Sequence, residues 1–124
     1  MIQLLEKKIT QELLQSLCLE YFKTFVKFVV DIHRSKIAIG GELHADAESM
    51  LLESGSDQKD LWGGNFYPWH ALGERIEYTS FINIRPKDGN KSMEILSPDI
   101  RKKVLNIVEQ FVLIPSETLE NEPE

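Results

Sequence analysis

Two strand-like runs separated by only three residues constrain this chain most. The first is "FVKFVVDIH", Phe25 to His33, and the second is "IAIGGE", Ile37 to Glu42, with "RSK" between them. Side chains of an extended chain point alternately to opposite faces. Phe28, Val30 and Ile32 therefore share one face, and Lys27, Val29, Asp31 and His33 share the other. So short a return predicts an antiparallel β-hairpin. A hairpin this apolar must be buried in a layered domain.

The flanking segments supply the layers. "IQLL", residues 2–5, reads as a short strand. Thr10 offers an N-cap hydroxyl to a helix whose apolar residues Leu13, Leu14, Leu17, Cys18, Tyr21 and Phe22 recur at helical spacing. A second helix is predicted from Asp46, which would cap it, to Gly55, a C-terminal glycine. "LWGGNFYP" reads as a strand weakened or bulged at Gly63-Gly64 and stopped by Pro68. "WHALGE" reads as an exposed loop. "RIEYTSFINIR", Arg75 to Arg85, alternates like a long strand. Ser97-Pro98 launches a third helix with Ile100, Val104, Ile107, Val108 and Phe111 facing inward. The predicted order is β-α-β-β-α-β-β-α: an α+β domain with a mixed or mostly antiparallel sheet of four to five strands and three helices. Residues 1–114 would form one domain, and residues 115–124 a disordered acidic tail.

Charge narrows the partners. Of the 20 acidic residues, four lie in the last ten, which hold no Lys or Arg, so a net charge of −6 falls to −2 for the body. This balance disfavours nucleic acid, which would need Arg85, Lys87, Lys91, Arg101, Lys102 and Lys103 to form one basic face. Cys18 is the only cysteine, which fits a reducing compartment and an inert core thiol. No apolar run reaches the roughly 20 residues that span a bilayer, and no basic segment precedes an apolar one at the N-terminus. A cytoplasmic protein without membrane contact is expected.

Three groups of residues could carry chemistry. In "GGELHAD", Glu42, His44 and Asp46 would share a face if the chain stayed extended, and imidazole with two carboxylates suits a divalent metal or acid–base work. His33 or Asp31 could add a ligand. Against this, Asp46 also fits the helix cap, and the trio then reduces to a structural polar cluster. Gly40-Gly41 match no phosphate-loop spacing and read as a strand end. The second group, Asn83, Arg85, Asn90, Lys91 and Ser92, could hold an anion through the Arg fork, or could be a solvated face with a polar turn. The third is aromatic: Trp62 and Phe66 read as sheet cover, whereas Trp69 could mark an interface. No G-x-S-x-G, H-E-x-x-H or C-x-x-C pattern occurs.

The segments "VVDI", "IAIGGELHAD", "LLESGSDQKDLWGGNFYP", "INIRPKDGNKS" and "DIRKKV", taken in this order, resemble a family of small prokaryotic proteins known only as a domain of unknown function. The resemblance runs from about Val26 to Val108. It implies a compact stand-alone domain and transfers no activity. Its motifs coincide with Glu42, His44, Asp46, Asn65, Asn83, Arg85 and Asn90. The reading that follows is a binding or regulatory module with no resident cofactor. It would self-associate, because helices on one sheet face would leave the other to a second subunit, and it would take a small ligand or protein through Asn65, Asn83, Arg85, Asn90 or Trp69. The alternative is a small metal-assisted hydrolase, with His44 as ligand or base, Glu42 and Asp46 as partners and Arg85 on an anionic group.

Overall fold

A computed structural model describes residues 1–120 and 122–123. The strands are β1 (Ile2–Leu5), β2 (Val26–Asp31), β3 (Lys36–Gly40), β4 (Leu61–Phe66) and β5 (Ile76–Glu77). The helices are α1 (Gln11–Tyr21), α2 (His44–Glu53) and α3 (Pro98–Phe111). The sheet order is β1-β3-β2-β4-β5, with every neighbouring pair antiparallel. The α+β class, the element order and the three helices are as the sequence predicts.

Local chemistry sets the helix starts. Thr10 Oγ1 accepts the Leu13 N–H at 3.1 Å, and Ser97 Oγ accepts that of Ile100 at 3.2 Å. Each satisfies one of the orphan donors of a first turn. α1 then buries Leu14, Leu17 and Cys18, and α3 buries Val104, Ile107, Val108 and Phe111. Both helices share a core with Phe28, Val30, Ile37, Ile39 and Phe66 on one face of the sheet. On the other face Val29, Ala38 and Leu61 pack against Ala47 and Leu51 of α2. The expected bare face, which called for a second subunit, is therefore covered by α2.

The β2–β3 turn is built by Asp31, whose Oδ1 accepts the N–H groups of His33 and Arg34, both at 2.9 Å. A carboxylate that folds back on its own chain makes an Asx turn. Arg34 then reaches the end of α2, donating to Ser54 Oγ at 3.2 Å, Ser56 Oγ at 2.8 Å and Ser54 O at 3.1 Å. Ser56 Oγ donates in turn to Asp31 Oδ2 at 2.6 Å. A cation at the C-terminus of α2 also opposes the negative end of the helix dipole.

Three local expectations change. First, α2 begins at His44 rather than at Asp46, after Leu43, which makes no side-chain cap bond. Gly40 (φ 106°) and Gly41 (φ 84°) turn the chain out of β3 early, and a Cβ at Gly40 would lie 2.3 Å from Met1 O. Second, β4 is not bulged. Its register with β2 runs unbroken from Val26↔Phe66 to Asp31↔Leu61. Gly64 is there for room, since a Cβ would sit 2.6 Å from Phe28 Cζ. Third, β5 is two residues long. Ser80 Oγ accepts the Ile82 N–H at 3.2 Å and starts a 3₁₀ turn, Phe81–Asn83, and a second turn follows at Pro86–Asp88. The Asn83 carboxamide takes the place of the missing strand: Nδ2 donates to Gly63 O and Oδ1 accepts Gly63 N–H, each at 2.9 Å.

After α3, Leu113 and Leu119 are buried in the first core. Arg75 donates to Glu117 O at 2.6 Å, and Trp69 Nε1 to Glu120 O at 3.2 Å. Residues 121 and 124 of the expected acidic tail lie outside the described residues. Among the described residues, no helix is long and apolar enough to cross a membrane.

Candidate functional site

The sheet's second face has an end that α2 meets only at its first residue. There Lys27, Asn65 and Glu77 are cross-strand partners on β2, β4 and β5. They have the same facing as Val29 and Leu61, which α2 covers. The first residue of α2, His44, closes the row on one side. Its Nε2 lies 2.8 Å from Gly64 O, and a carbonyl only accepts, so Nε2 carries a hydrogen. His44 is 8% exposed. Burial lowers its pKa below the ordinary 6.5, against the Gly64 bond, which raises it. The Lys27 charge lowers it further, and Asn65 and Glu77 act the other way.

Asn65, 9% exposed, forms the floor of the row. Its Nδ2 donates to Glu77 Oε1 at 2.7 Å, which fixes the amide's orientation and leaves Oδ1 buried, with the His44 imidazole as its neighbour. The Tyr67 hydroxyl reaches the same Glu77 oxygen at 3.5 Å. Burial first, and then the Glu77 carboxylate, raise the Tyr67 pKa. Among the described residues neither Lys27 nor Glu77 has an ion pair within 4.0 Å.

Aromatic rings line the row. Phe22 stacks on Phe25 with centroids 4.6 Å apart, Phe25 on Tyr67 at 4.9 Å, and Tyr67 on His70 at 4.4 Å. Tyr21 extends the run at 6.1 Å with tilted planes. Lys27 Nζ lies 5.2 Å from the Phe22 centroid, within cation–π range. Stacked rings are stiff and present apolar edges. The result is a shallow surface with an amide floor, one charge of each sign and an aromatic border.

Other candidate residues sit elsewhere. Glu42 and Asp46 are exposed and flank a buried His44. Because the helix starts at His44, positions two apart point to different sides, so the trio is not brought together. Asp31 is fully buried in its turn and cannot supplement them. Among the described residues, no group of three or more His, Cys, Asp and Glu is placed to hold a metal.

The second group is structural at its centre. Asn83 bonds Gly63 twice and Met93 O at 3.0 Å. Asn90 Nδ2 donates to Asn83 O, Ser92 O and Glu94 O at 2.8–2.9 Å, and its Oδ1 accepts Leu96 N–H at 2.9 Å. Arg85 lies 3.9 Å over the Trp62 ring, donates to Gln58 O, and stands 3.7 Å from Asp88. Its Nε and Nη2 are buried without hydrogen-bond partners. Arg101 donates to Ile95 O at 2.6 Å and covers Tyr78. Two of the six cations named above, Arg85 and Arg101, are thus engaged within the fold. Trp69 packs against the core and ties down Glu120.

His44, Asn65 and the aromatic Tyr67 stand out in the sequence by residue type, whereas Lys27, Glu77 and Phe25 do not. The available signal was Lys27, a lone cation within an apolar strand. Its neighbours depend on strand register, which strand periodicity alone does not provide. No curated protein and no solved structure matches the chain. The model of a family described as "Protein of unknown function (DUF5674)" matches residues 3–111, from β1 to the last residue of α3, and the chain belongs to that family.

Proposed function

We propose that the protein is a binding module that takes a peptide segment on the uncovered end of its sheet. The observation that carries this reading is the Lys27–Asn65–Glu77 row bordered by stacked rings. Two opposite charges with no ion-pair partner complement a ligand bearing both signs. A shallow aromatic surface suits a chain laid across it more than an enclosed small molecule. Beneath the row the buried His44 holds Gly64 O and the buried Asn65 holds the Glu77 carboxylate in place.

The metal-assisted alternative needs Glu42, His44 and Asp46 in one pocket, and no observed contact favours it. Self-association would have to use a sheet edge: β1, four residues long, is the longer of the two edge strands available to a second copy. A cytoplasmic setting rests on a single buried thiol, Cys18, whose pKa burial raises to about 12.

The reading is tested by titrating the dipeptide Phe-Phe into the ¹⁵N-labelled chain. Shifts grouped at Lys27, His44, Asn65, Tyr67 and Glu77 are expected. Shifts confined to other surfaces would refute it.

A further inference from the structure

We infer that a pocket on the opposite side of the sheet is a second binding site, one that takes a small apolar monocarboxylate and holds its charge on Arg75. This inference does not rest on the peptide surface. The pocket lies between β5 and the second half of α3. Phe66, Ile76, Tyr78, Leu105, Val108 and Leu113 form its walls, with Leu72 and Pro115 beside them. Its volume is about 100 Å³. An apolar cavity of roughly 150 Å³ holds benzene, so a smaller, partly open pocket fits a short alkyl chain better than a ring. Leu72 is 64% exposed, an apolar residue of the lining left in water.

Arg75 decides the ligand's charge. It lines the pocket and is 8% exposed, yet no carboxylate among the described residues lies within 4.0 Å of it. Its guanidinium is held by neutral carbonyls alone, Glu117 O at 2.6 Å and Ile114 O at a long 3.5 Å. Its Nε is buried and has no partner. The Glu117 carboxylate, whose own carbonyl Arg75 holds, is turned to Lys8 and to the Ile114 N–H. A buried cation without a counter-charge is costly, and a guanidinium fork matches a carboxylate. A ligand carboxylate would take over the long Ile114 contact and meet Nε. Glu109 lines the same pocket with the opposite sign, so a ligand carboxylate must sit on the Arg75 side, away from it, and a second negative charge is disfavoured.

The test compares hexanoate, hexanol and hexylamine, each titrated into the full chain at neutral pH and followed at the amides of Leu72, Arg75, Leu105 and Leu113. Hexanoate is expected to bind about tenfold more tightly than either isostere, the value of one charge-assisted hydrogen bond. Arg75→Gln should erase that preference and keep hexanol binding. Because Arg75 also ties down the segment after α3, Leu105→Trp, which fills the pocket from its solvent side, is the second variant and should abolish hexanoate binding. Equal affinity for hexanoate and hexanol, shifts outside the pocket, or full hexanoate binding by Leu105→Trp would overturn the inference.

Discussion

Asn83 shows how one side chain can replace a strand. Its carboxamide bonds both backbone groups of Gly63 and a third carbonyl, that of Met93, and it is fully buried. Asn83→Ala leaves two of β4's backbone groups unsatisfied, and about 2–4 kcal/mol of stability should be lost. Urea unfolding measures it, and a loss below about 1 kcal/mol would show that water replaces the amide. His44 makes a second prediction. Its folded pKa lies below the 6.5 of an unperturbed histidine, so protonation favours the unfolded chain. The neutral ring's contribution is complete above pH 6.5. It is lost as pH falls from 6.5 toward the lower folded value, and the loss levels off below that. His44→Gln should flatten the wild-type stability curve in that window alone, and parallel curves would contradict the assignment. At this scale the sequence was partly legible. His44 and Asn65 could be picked by residue type. That Asn83 and Asn90 are structural could not, because an amide's role depends on which backbone groups lie near it.

Elements were more legible than their ends. Periodicity and caps placed α1 and α3, since Thr10 and Ser97 act through neighbours three residues away. The misjudged boundaries each have a tertiary cause. α2 starts two residues early because Gly40 and Gly41 adopt positive φ and release the chain from β3. β4 keeps its register because Phe28 fills the space above Gly64. The alternating run from Arg75 pairs with β4 for only two residues, after which Ser80 and Asn83 capture the backbone. Gly64→Ala tests the second cause. The added methyl would meet Phe28 Cζ at 2.6 Å and Glu77 O at 2.9 Å, and should cost about 1–3 kcal/mol through overpacking. A paired Gly64→Ala, Phe28→Leu variant should recover part of the loss. No recovery would place the strain at Glu77 O instead.

In the whole molecule, helices pack on both faces of the sheet, α1 and α3 on one and α2 on the other. α2 is short, so the second face is covered at Val29, Ala38 and Leu61, while at its other end Lys27 is half-buried, Glu77 is exposed and Asn65 lies buried between them. The candidate site is therefore a product of helix length and strand register together, and neither can be read from single residues. The loop from β4 to β5 links the two proposed sites, since Tyr67 and His70 join the ring stack while Leu72 and Arg75 line the pocket. The central claim is that the open end of the sheet binds through its paired charges and rings. It is tested most directly by comparing Phe-Phe titrations of the wild-type chain and the Lys27→Ala, Glu77→Gln double variant, read at the Asn65 and Tyr67 amides. Lys27 is half-buried and Glu77 exposed, and neither lies in a hydrophobic core, so the fold should survive their replacement. The account predicts binding at the wild-type row and at least about a tenfold loss in the double variant, the scale of one lost charge-assisted contact. Equal affinity in both proteins, or no response at the wild-type row, would contradict it.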